Sequence, residues 1–537
     1  MVLSNTSLDY DAIVIGAGIA GLYQLYRLRE LGMTVRVFER GTGVGGTWYW
    51  NRYPGARFDS ESYSYAYSFS QELLDEWDWS EHFAGQPETL RYLQYVADKF
   101  DLLKDIRFSS EVKSAVYDDD SRSWTVQLED GSAHRSRFLI TAVGNLSEPT
   151  LPRIEGIESF GGQSFHTSRW PHTPVKFTGK RVAVIGTGAT GVQTIQEVSK
   201  DVGHLTVFQL RPEWCAPLHN SKIGPDEMKD IRAGYREMFD LCAQTPAGFV
   251  HDADPRNTFD VTEEERYEFW EELYASRGFG IWQGNFEDIS TDPRANKAIS
   301  DFLADKIRAR VNDPTVAEKL IPKDHGFGTR RVPLETNYYE SYNQDNVELI
   351  DINETPILRI TRNGILTTDR EFEFDFIIYA TGFDAVVGSF NKIDIHGVER
   401  RSLKDQWKEE LATFLGMLVN GFPNMFMITG PHAWTGNHPR SIEYGVEWIT
   451  DVIRFMDERG LTRAEASVEA QRGWHEIVLE HDRDLLRSQV DSWFTGININ
   501  LEGRQTRMTT QYSGGQPLFR RRCEEVAENG YEELNLK

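Results

Sequence analysis

The stretch Ala12-Ile-Val-Ile-Gly16-Ala-Gly18-Ile-Ala-Gly21 decides the fold of the first part of the chain. A short apolar run leads into glycines spaced G-x-G-x-x-G, and the amphipathic segment 22–31 that follows predicts a helix. In such a strand–turn–helix unit the first glycine allows the turn, the second lets the backbone approach a pyrophosphate, and the third lets helix and strand pack closely. The pattern therefore predicts dinucleotide binding by Gly16, Gly18 and Gly21.

The residues after this unit extend the predicted site. A second strand, Val35–Phe38, ends in Glu39, which is placed to accept hydrogen bonds from ribose hydroxyls. The loop that begins at Gly46, Thr47 and Trp48 combines glycines with aromatic side chains, which suits a segment lying against a flat ring. A buried aromatic cluster with no ligand is the alternative interpretation of that loop.

A second glycine motif, Gly186-Thr187-Gly188-Ala-Thr-Gly191, follows another apolar run about 170 residues later. Two such units in one chain imply two dinucleotides, and a flavin that exchanges electrons with a nicotinamide is the simplest explanation. The strand after the second motif ends without an acid, and Arg211 stands nearby. A missing carboxylate beside an arginine favours a ribose with a 2′-phosphate, so the sequence predicts NADPH over NADH.

The composition excludes several other classes of protein. The chain has 537 residues and a formal net charge of −25, which argues against nucleic acid or an anionic membrane as a partner. Its N-terminus indicates neither a signal peptide nor a membrane span. The cysteines Cys215, Cys242 and Cys523 form no C-x-x-C pair, and His475 and His481 stand six residues apart, on different faces of a helix. We therefore expect a cytoplasmic protein, a monomer or weak oligomer, without a metal site.

The linker between the two glycine motifs reads Phe160-Gly-Gly-Gln-Ser-Phe-His166-Thr-Ser-Arg-Trp170-Pro171. Its pattern, F-x-G-x-x-x-H-x-x-x-W-P, resembles the fingerprint of type I Baeyer–Villiger monooxygenases, and the resemblance extends over nearly the whole chain. It implies an enzyme that holds FAD and uses NADPH and O₂. Such an enzyme inserts oxygen beside a ketone carbonyl through a C4a-peroxyflavin and forms an ester or a lactone.

The same resemblance implies roles for individual residues. The second arginine of Gly328-Thr-Arg330-Arg331 matches the active-site arginine, and Asp59 matches the aspartate that holds it, so these two are the predicted catalytic residues. Arg330 matches a basic residue that adds a second phosphate contact. Trp493 matches a tryptophan on a loop near the substrate. The alternatives for Asp59 are a surface cap or a salt bridge without chemical consequence. The alternative for Trp493 is core packing.

The predicted fold is α/β, with two Rossmann-like dinucleotide-binding domains, one for FAD and one for NADP. The first part of the FAD domain is expected at 8–148, the NADP domain at 149–382 with a helical insert at about 220–325, and the second part of the FAD domain at 383–537. The last part contains a predicted helix that begins at Ser441. The helical spacing of apolar residues, as at 298–307, supports the insert.

Two other functions remain open at this point. One is oxygenation of a nitrogen or sulfur atom, as in flavin-containing monooxygenases, whose linker usually has Phe or Tyr where this chain has Trp170 and Pro171. The other is a flavin-bound redox sensor without turnover. Trp170 and Pro171 favour ketone oxygenation over the first alternative. The complete set of predicted reaction-bearing positions, Asp59, Arg331 and the two glycine motifs, favours an enzyme over the sensor.

Overall fold

A computed structural model of the chain describes residues 7–537. The strands are β1 (Tyr10–Ile15), β2 (Val35–Phe38), β3 (Ile106–Arg107), β4 (Val112–Asp118), β5 (Ser123–Leu128), β6 (Ala133–Thr141), β7 (Gln163–His166), β8 (Arg181–Ile185), β9 (His204–Gln209), β10 (Ala216–Pro217), β11 (Leu334–Glu335), β12 (Val347–Asp351), β13 (Ile357–Ile360), β14 (Gly364–Thr367), β15 (Glu371–Glu373), β16 (Phe376–Tyr379), β17 (Asp394–His396) and β18 (Met425–Met427).

The α-helices are α1 (Ile19–Glu30), α2 (Thr47–Trp50), α3 (Ser62–Tyr65), α4 (Gln71–Glu76), α5 (Gln86–Lys99), α6 (Ala189–Val198), α7 (Pro225–Ala233), α8 (Tyr235–Gln244), α9 (Glu263–Ala275), α10 (Gly280–Gln283), α11 (Pro293–Arg310), α12 (Pro314–Leu320), α13 (Tyr338–Ser341), α14 (Gly388–Asn391), α15 (Leu403–Glu409), α16 (His438–Glu458), α17 (Val468–Asp482) and α18 (Gln516–Glu528). Short 3₁₀ helices lie at Leu103–Asp105, Ile157–Ser159, Thr167–Arg169, Glu287–Ser290, Val398–Arg400, Leu486–Gln489 and Trp493–Thr495.

The first sheet has the order β17-β4-β5-β6-β1-β2-β3, and β18 also pairs with β6. Strand β1 lies parallel between β2 and β6, with Ala12 opposite Val35 on one side and Phe138 on the other. Its last four residues are buried, as expected for a strand covered on both faces. The strands β4, β5 and β6 form an antiparallel meander that returns to this sheet.

The second sheet has the order β12-β9-β8-β16-β7, and all its neighbouring strands are parallel. Helix α6 follows β8 directly after the second glycine turn, as α1 follows β1 in the first sheet. A mixed sheet and an all-parallel sheet, each with a parallel strand–turn–helix unit, confirm the predicted α/β fold. The segment between Pro225 and Leu320 holds six α-helices, α7 to α12, which confirms the helical insert.

The chain passes from the first sheet to the second and later returns. It enters the second sheet through β7, leaves it after β16, and adds β17 and β18 to the first sheet. Such a path is compatible with the predicted division at 148/149 and 382/383. The boundaries themselves stay a prediction.

The linker fingerprint lies against the second sheet. Trp170 is 7% exposed, and its ring centroid lies 5.2 Å from that of Phe165 in the core below this sheet. The ring nitrogen Nδ1 of His166 accepts a hydrogen bond from the Ser168 amide at 3.1 Å. Burial, followed by the charge of Arg169, lowers the pKa of His166 to about 4, so its imidazole is neutral at pH 7. These residues anchor the connection between the two sheets.

Helix α16 begins at His438, three residues before the predicted start at Ser441, so that prediction was wrong. Pro439 occupies the first turn, where a missing backbone N–H costs nothing. The residue before the helix, Asn437, makes no side-chain capping hydrogen bond, and its Nδ2 donates to the Ser64 carbonyl at 3.2 Å. The earlier start places His438 in the wall of the central cavity.

Candidate functional site

One cavity of about 1320 Å³ runs between the two sheets and is lined by both glycine turns. This volume exceeds the roughly 300–1,000 Å³ of a pocket for one small ligand. It is therefore large enough to hold more than one bound molecule. All the predicted site residues line it except Gly21 and Gly191, which lie behind the turns.

Two of the three glycines of the first turn leave no room for a side chain. Gly16 has φ +103°, and a Cβ built on it would lie 2.5 Å from the Ala142 carbonyl oxygen. A Cβ on Gly21 would lie 1.8 Å from the Gly16 oxygen, so only glycine lets α1 pack this closely on β1. Gly18 opens to the cavity beside Gly46. The turn fits the pyrophosphate of a dinucleotide at the N-terminus of α1.

The second glycine turn repeats this geometry. Gly186 has φ +107°, and a Cβ on Gly191 would lie 2.3 Å from the Gly186 oxygen. A Cβ on Gly188, in contrast, would meet no atom of the described residues within 4 Å. Gly188 therefore leaves free space in the cavity at the N-terminus of α6, which fits a second pyrophosphate.

The carboxylate of Glu39 is fixed at the end of β2. One oxygen accepts from the Ala17 amide at 2.8 Å and the other from the Gly41 amide at 2.7 Å. Glu39 is 5% exposed and lines the cavity. Each carboxylate oxygen keeps a further lone pair, so the group remains able to accept from a ribose hydroxyl.

The aromatic loop reaches the cavity from beneath the first turn. Gly46 has φ +52°, and a Cβ there would lie 2.8 Å from the Gly18 Cα. Thr47 begins α2, and Trp48 is 6% exposed, with Nε1 donating to the Tyr65 hydroxyl at 3.1 Å. The loop is thus both a buried aromatic cluster and part of the cavity wall, so the two interpretations of it are compatible.

Arg331 and Asp59 form an ion pair in the centre of the cavity wall. The Arg331 NH1 donates to Asp59 Oδ2 at 2.7 Å, although 272 residues separate them in sequence. The Asp59 side chain is 2% exposed and that of Arg331 is 33% exposed. Asp59 therefore anchors the guanidinium from behind while part of the cation faces open space. The ring of Phe279 lies below that cation at 5.4 Å.

Gln193 on α6 also contacts this pair, and the sequence analysis missed it. Its Nε2 lies 3.5 Å from Asp59 Oδ1 and donates to the Arg57 carbonyl at 3.1 Å, while its Oε1 accepts from the Tyr53 hydroxyl at 2.7 Å. Gln193 thereby links the helix of the second glycine turn to the loop that carries Asp59. The available signal was an amide side chain two residues after Gly191.

His438 is a second residue that the sequence analysis missed. Burial, and then the charge of Arg331, lower its pKa to about 4, so the imidazole is neutral at pH 7. It lines the cavity at the first turn of α16. A neutral imidazole beside a fixed guanidinium offers both a hydrogen-bond donor and an acceptor to a bound molecule.

The remaining predicted residues lie at the second glycine turn and elsewhere in the cavity wall. The Thr187 hydroxyl donates to the Arg211 carbonyl at 2.7 Å, which ties Arg211 to the turn. Arg330 is 9% exposed and pairs with protein acceptors. Trp493 is half-buried, and its ring lies 4.3 Å from that of Phe494. Trp493 packs against a hydrophobic core and also lines the cavity, so core packing and a place near the substrate are compatible.

Comparisons with known proteins identify relatives along the whole chain. The flavin-binding monooxygenase-like family model matches residues 11–226. The chain is 46% identical to the 2-oxo-Δ³-4,5,5-trimethylcyclopentenylacetyl-CoA monooxygenase of Pseudomonas putida, over 98% of each chain. It is 42% identical to the methyl acetate-forming acetone monooxygenase of Gordonia sp. (strain TY-5), over 99% of this chain and 100% of that one.

A relative that acts on nitrogen and a solved structure complete the comparison. The chain is 40% identical to the phenazine N-monooxygenase of Lysobacter antibioticus, over 99% of this chain and 98% of that one. Its fold matches a crystal structure of OTEMO in complex with FAD and NADP at a TM-score of 0.96. That match has 45% identity and covers 99% of this chain and 100% of the other.

Proposed function

The chain belongs to the flavin-binding monooxygenase family and, within it, to the Baeyer–Villiger monooxygenases, and from this premise we propose that Arg331 is its catalytic cation. Its cofactors are FAD and NADPH, and it uses O₂ to convert small ketones to esters or lactones. The single observation that carries the residue assignment is the ion pair of Arg331 with Asp59, which faces the cavity between the two glycine turns.

We propose that the cofactors occupy the two turns in chain order. Gly16, Gly18 and Gly21 with Glu39 would hold FAD, and the loop at 46–48 would lie against its ring. The second turn, Gly186 to Gly191 with Thr187, would hold NADPH. Bound FAD, once reduced, supplies the activation of O₂.

Arg331 provides a permanent positive charge where negative charge develops on oxygen during attack on the ketone. Arginine stays protonated at any working pH, and a prepositioned cation in a cavity shielded from water stabilises such charge more than it does in bulk solvent. Its exposed fraction faces the cavity, so it can reach a carbonyl oxygen there. Asp59 acts as a positioning residue, because its side chain is 2% exposed and its carboxylate holds the Arg331 guanidinium.

Arg211 and Trp493 complete the proposed binding residues. Arg211 follows the second strand of the NADP sheet, the place at which a 2′-phosphate is recognised in this fold. Arg330 lies beside it and is a candidate for the same phosphate. We propose that Trp493, which lines the cavity, lies near the bound substrate.

We further propose a cytoplasmic protein without nucleic-acid or membrane partners, a monomer or weak oligomer. The net charge of −25 supports this proposal, because both kinds of partner require a concentrated basic surface. In residues 7–537 no helix has both the length and the apolar character to span a bilayer.

Oxygenation of nitrogen is the second candidate function, favoured by the similarity to a phenazine N-monooxygenase. The experiment that separates the candidates incubates the FAD-loaded protein with NADPH and a panel of linear, cyclic and aryl ketones, beside a tertiary amine, a phenazine and a thioether. We expect esters or lactones from at least one ketone class. N-oxide or sulfoxide products without any ester would overturn the proposal, and so would NADPH oxidation that no substrate stimulates.

A further inference from the structure

Acidic residues lie beside the arginines at the end of the second sheet. This is the end at which a 2′-phosphate would bind. Strand β9 ends at Gln209, and the next residues are Leu210 and Arg211. The backbone of Arg211 is bound to the glycine turn through Thr187, so its position is fixed. Glu213 follows two residues later and lines the same cavity. A carboxylate in this neighbourhood is the feature that sites for an unphosphorylated ribose use.

Each of the two arginines lies within ion-pair distance of a carboxylate. Arg330 NH1 lies 3.2 Å from Glu213 Oε1, and its NH2 lies 3.8 Å from Asp324 Oδ2. Arg211 Nε lies 3.7 Å from the same Asp324 oxygen. The NH2 of Arg330 also donates to the Asp491 carbonyl at 2.8 Å. Both NH groups of the Arg330 guanidinium thus already have protein acceptors.

His325 connects the two acids. Its Nδ1 lies 2.8 Å from Asp324 Oδ1, and its Nε2 lies 3.4 Å from Glu213 Oε2. The imidazole is 1% exposed. Burial lowers its pKa, but the hydrogen bond with Asp324 and the negative charge of Glu213 outweigh burial and raise the pKa above the ordinary value. The same hydrogen bond from His325 is the main reason that the pKa of Asp324 falls to about 2, so that carboxylate is ionised at pH 7.

The two carboxylates offset much of the positive charge of Arg211 and Arg330, and His325, whose pKa is raised, adds part of a positive charge to the cluster. Two arginines face two carboxylates, and a 2′-phosphate arriving there meets the repulsion of Glu213 and Asp324 as well as the attraction of Arg211 and Arg330. A ribose hydroxyl, in contrast, is a donor that a carboxylate can accept. Like charges placed side by side cost binding free energy, and specificity depends on such repulsive elements as much as on attractive ones.

We propose that Glu213 and Asp324 are specificity-determining residues that weaken the discrimination between NADPH and NADH, so that this chain also accepts NADH as hydride donor. The inference rests on the proposed function only in that the second glycine turn binds a nicotinamide dinucleotide. Arg330 contributes little to phosphate binding while Glu213 holds it. One nitrogen of Arg330, Nε, is buried without a hydrogen-bond partner among the described residues, so the cluster still has one donor to offer a ligand.

The test compares the FAD-loaded wild-type protein with Glu213→Gln and Asp324→Asn. Both substitutions keep the shape of the side chain and remove its charge. The first readout is the ratio of kcat/KM for NADPH to that for NADH in flavin reduction, measured without a ketone. The second is the Kd for adenosine 2′,5′-bisphosphate and for AMP by calorimetry, which needs no turnover at all. The matched control is Glu354→Gln, whose carboxylate pairs with Lys319 at 2.6 Å and touches neither arginine.

We expect the wild-type ratio to be below about 100, and Glu213→Gln to raise it on the order of tenfold, the equivalent of one charged hydrogen bond. The bisphosphate should bind more tightly by a similar factor, while AMP binding and the Glu354→Gln control stay within about twofold. An unchanged ratio in both variants would overturn the proposal. Weaker bisphosphate binding would overturn it as well, since Glu213 would then hold Arg330 in its phosphate-binding position. Neither flavin reduction nor nucleotide binding requires a ketone. Both measurements therefore remain valid if the protein turns over no ketone.

Discussion

The substitution Asp59→Asn tests how the central ion pair works. Asp59 is 4% exposed, and one of its oxygens lies 2.7 Å from Arg331 NH1. The amide keeps the size of the side chain and the neighbour Gln193, but it removes the negative charge. A hydrogen bond to a charged group contributes roughly 1.5–3 kcal/mol. If Arg331 loses that anchor and turns away, the barrier to oxygenation should rise by this amount, which corresponds to about a 10- to 100-fold lower rate.

The assay measures two rates on the same FAD-loaded sample, ester formation by gas chromatography and NADPH-driven flavin reduction under anaerobic conditions. Ester formation should fall by the stated factor, and flavin reduction should stay within about threefold, because Asp59 is linked to the helix of the second glycine turn by Gln193, a neighbour that the amide keeps. Asp394→Asn is the control, since it makes the same chemical change in a side chain that is 71% exposed. An Asp59→Asn protein with full FAD content and unchanged ester formation would refute the positioning role.

Two further predictions concern the second glycine turn and the buried histidines. Gly191→Ala would place a Cβ 2.3 Å from the Gly186 oxygen and should abolish NADPH-driven flavin reduction at normal FAD content. Gly188→Ala clashes with no described atom, so it should raise the KM for NADPH and leave the melting temperature unchanged. Equal effects of the two substitutions on the melting temperature would contradict the geometry. His432 is fully buried, and burial lowers its pKa to about 4. The imidazole therefore takes up a proton at higher pH in the unfolded chain than in the folded one. The free energy of unfolding should fall by roughly 3 kcal/mol for this group as the pH drops from about 6.5 to 4. Urea unfolding at several pH values should show a smaller loss for His432→Gln, and an identical pH dependence would count against this cause.

The sequence alone was sufficient to place the site residues that belong to one continuous strand–turn–helix unit or to the strand after it. A glycine turn after an apolar run fixes strand, turn and helix together, so Gly16 and Gly186 could be placed without any long-range information. Glu39 follows for the same reason, because it stands at the end of the next strand. The strand pairing confirms both units.

Contacts between distant segments could not be derived in this way. The pairing of Asp59 with Arg331 joins residues 272 apart, and only the resemblance to a family indicated it. The only sequence signal for Gln193 was an amide side chain two residues after Gly191, which does not indicate a contact with Asp59. His438 was missed because a proline in the first turn started α16 earlier than the serine signal predicted. The acids that contact Arg330 were missed because the sequence analysis looked for basic residues that bind a phosphate and not for the carboxylates that offset their charge.

The most direct test of the central claim is the substitution Arg331→Ala, studied in the FAD-loaded protein. The account predicts that NADPH still reduces the flavin at a rate within a few-fold of wild type, while ester formation from a good ketone substrate falls by about 100-fold or more, the loss seen when one charge-stabilising group is removed. Arg294→Ala, in a side chain that is 80% exposed, should change neither rate. Ester formation that persists at the wild-type rate in Arg331→Ala would contradict the account.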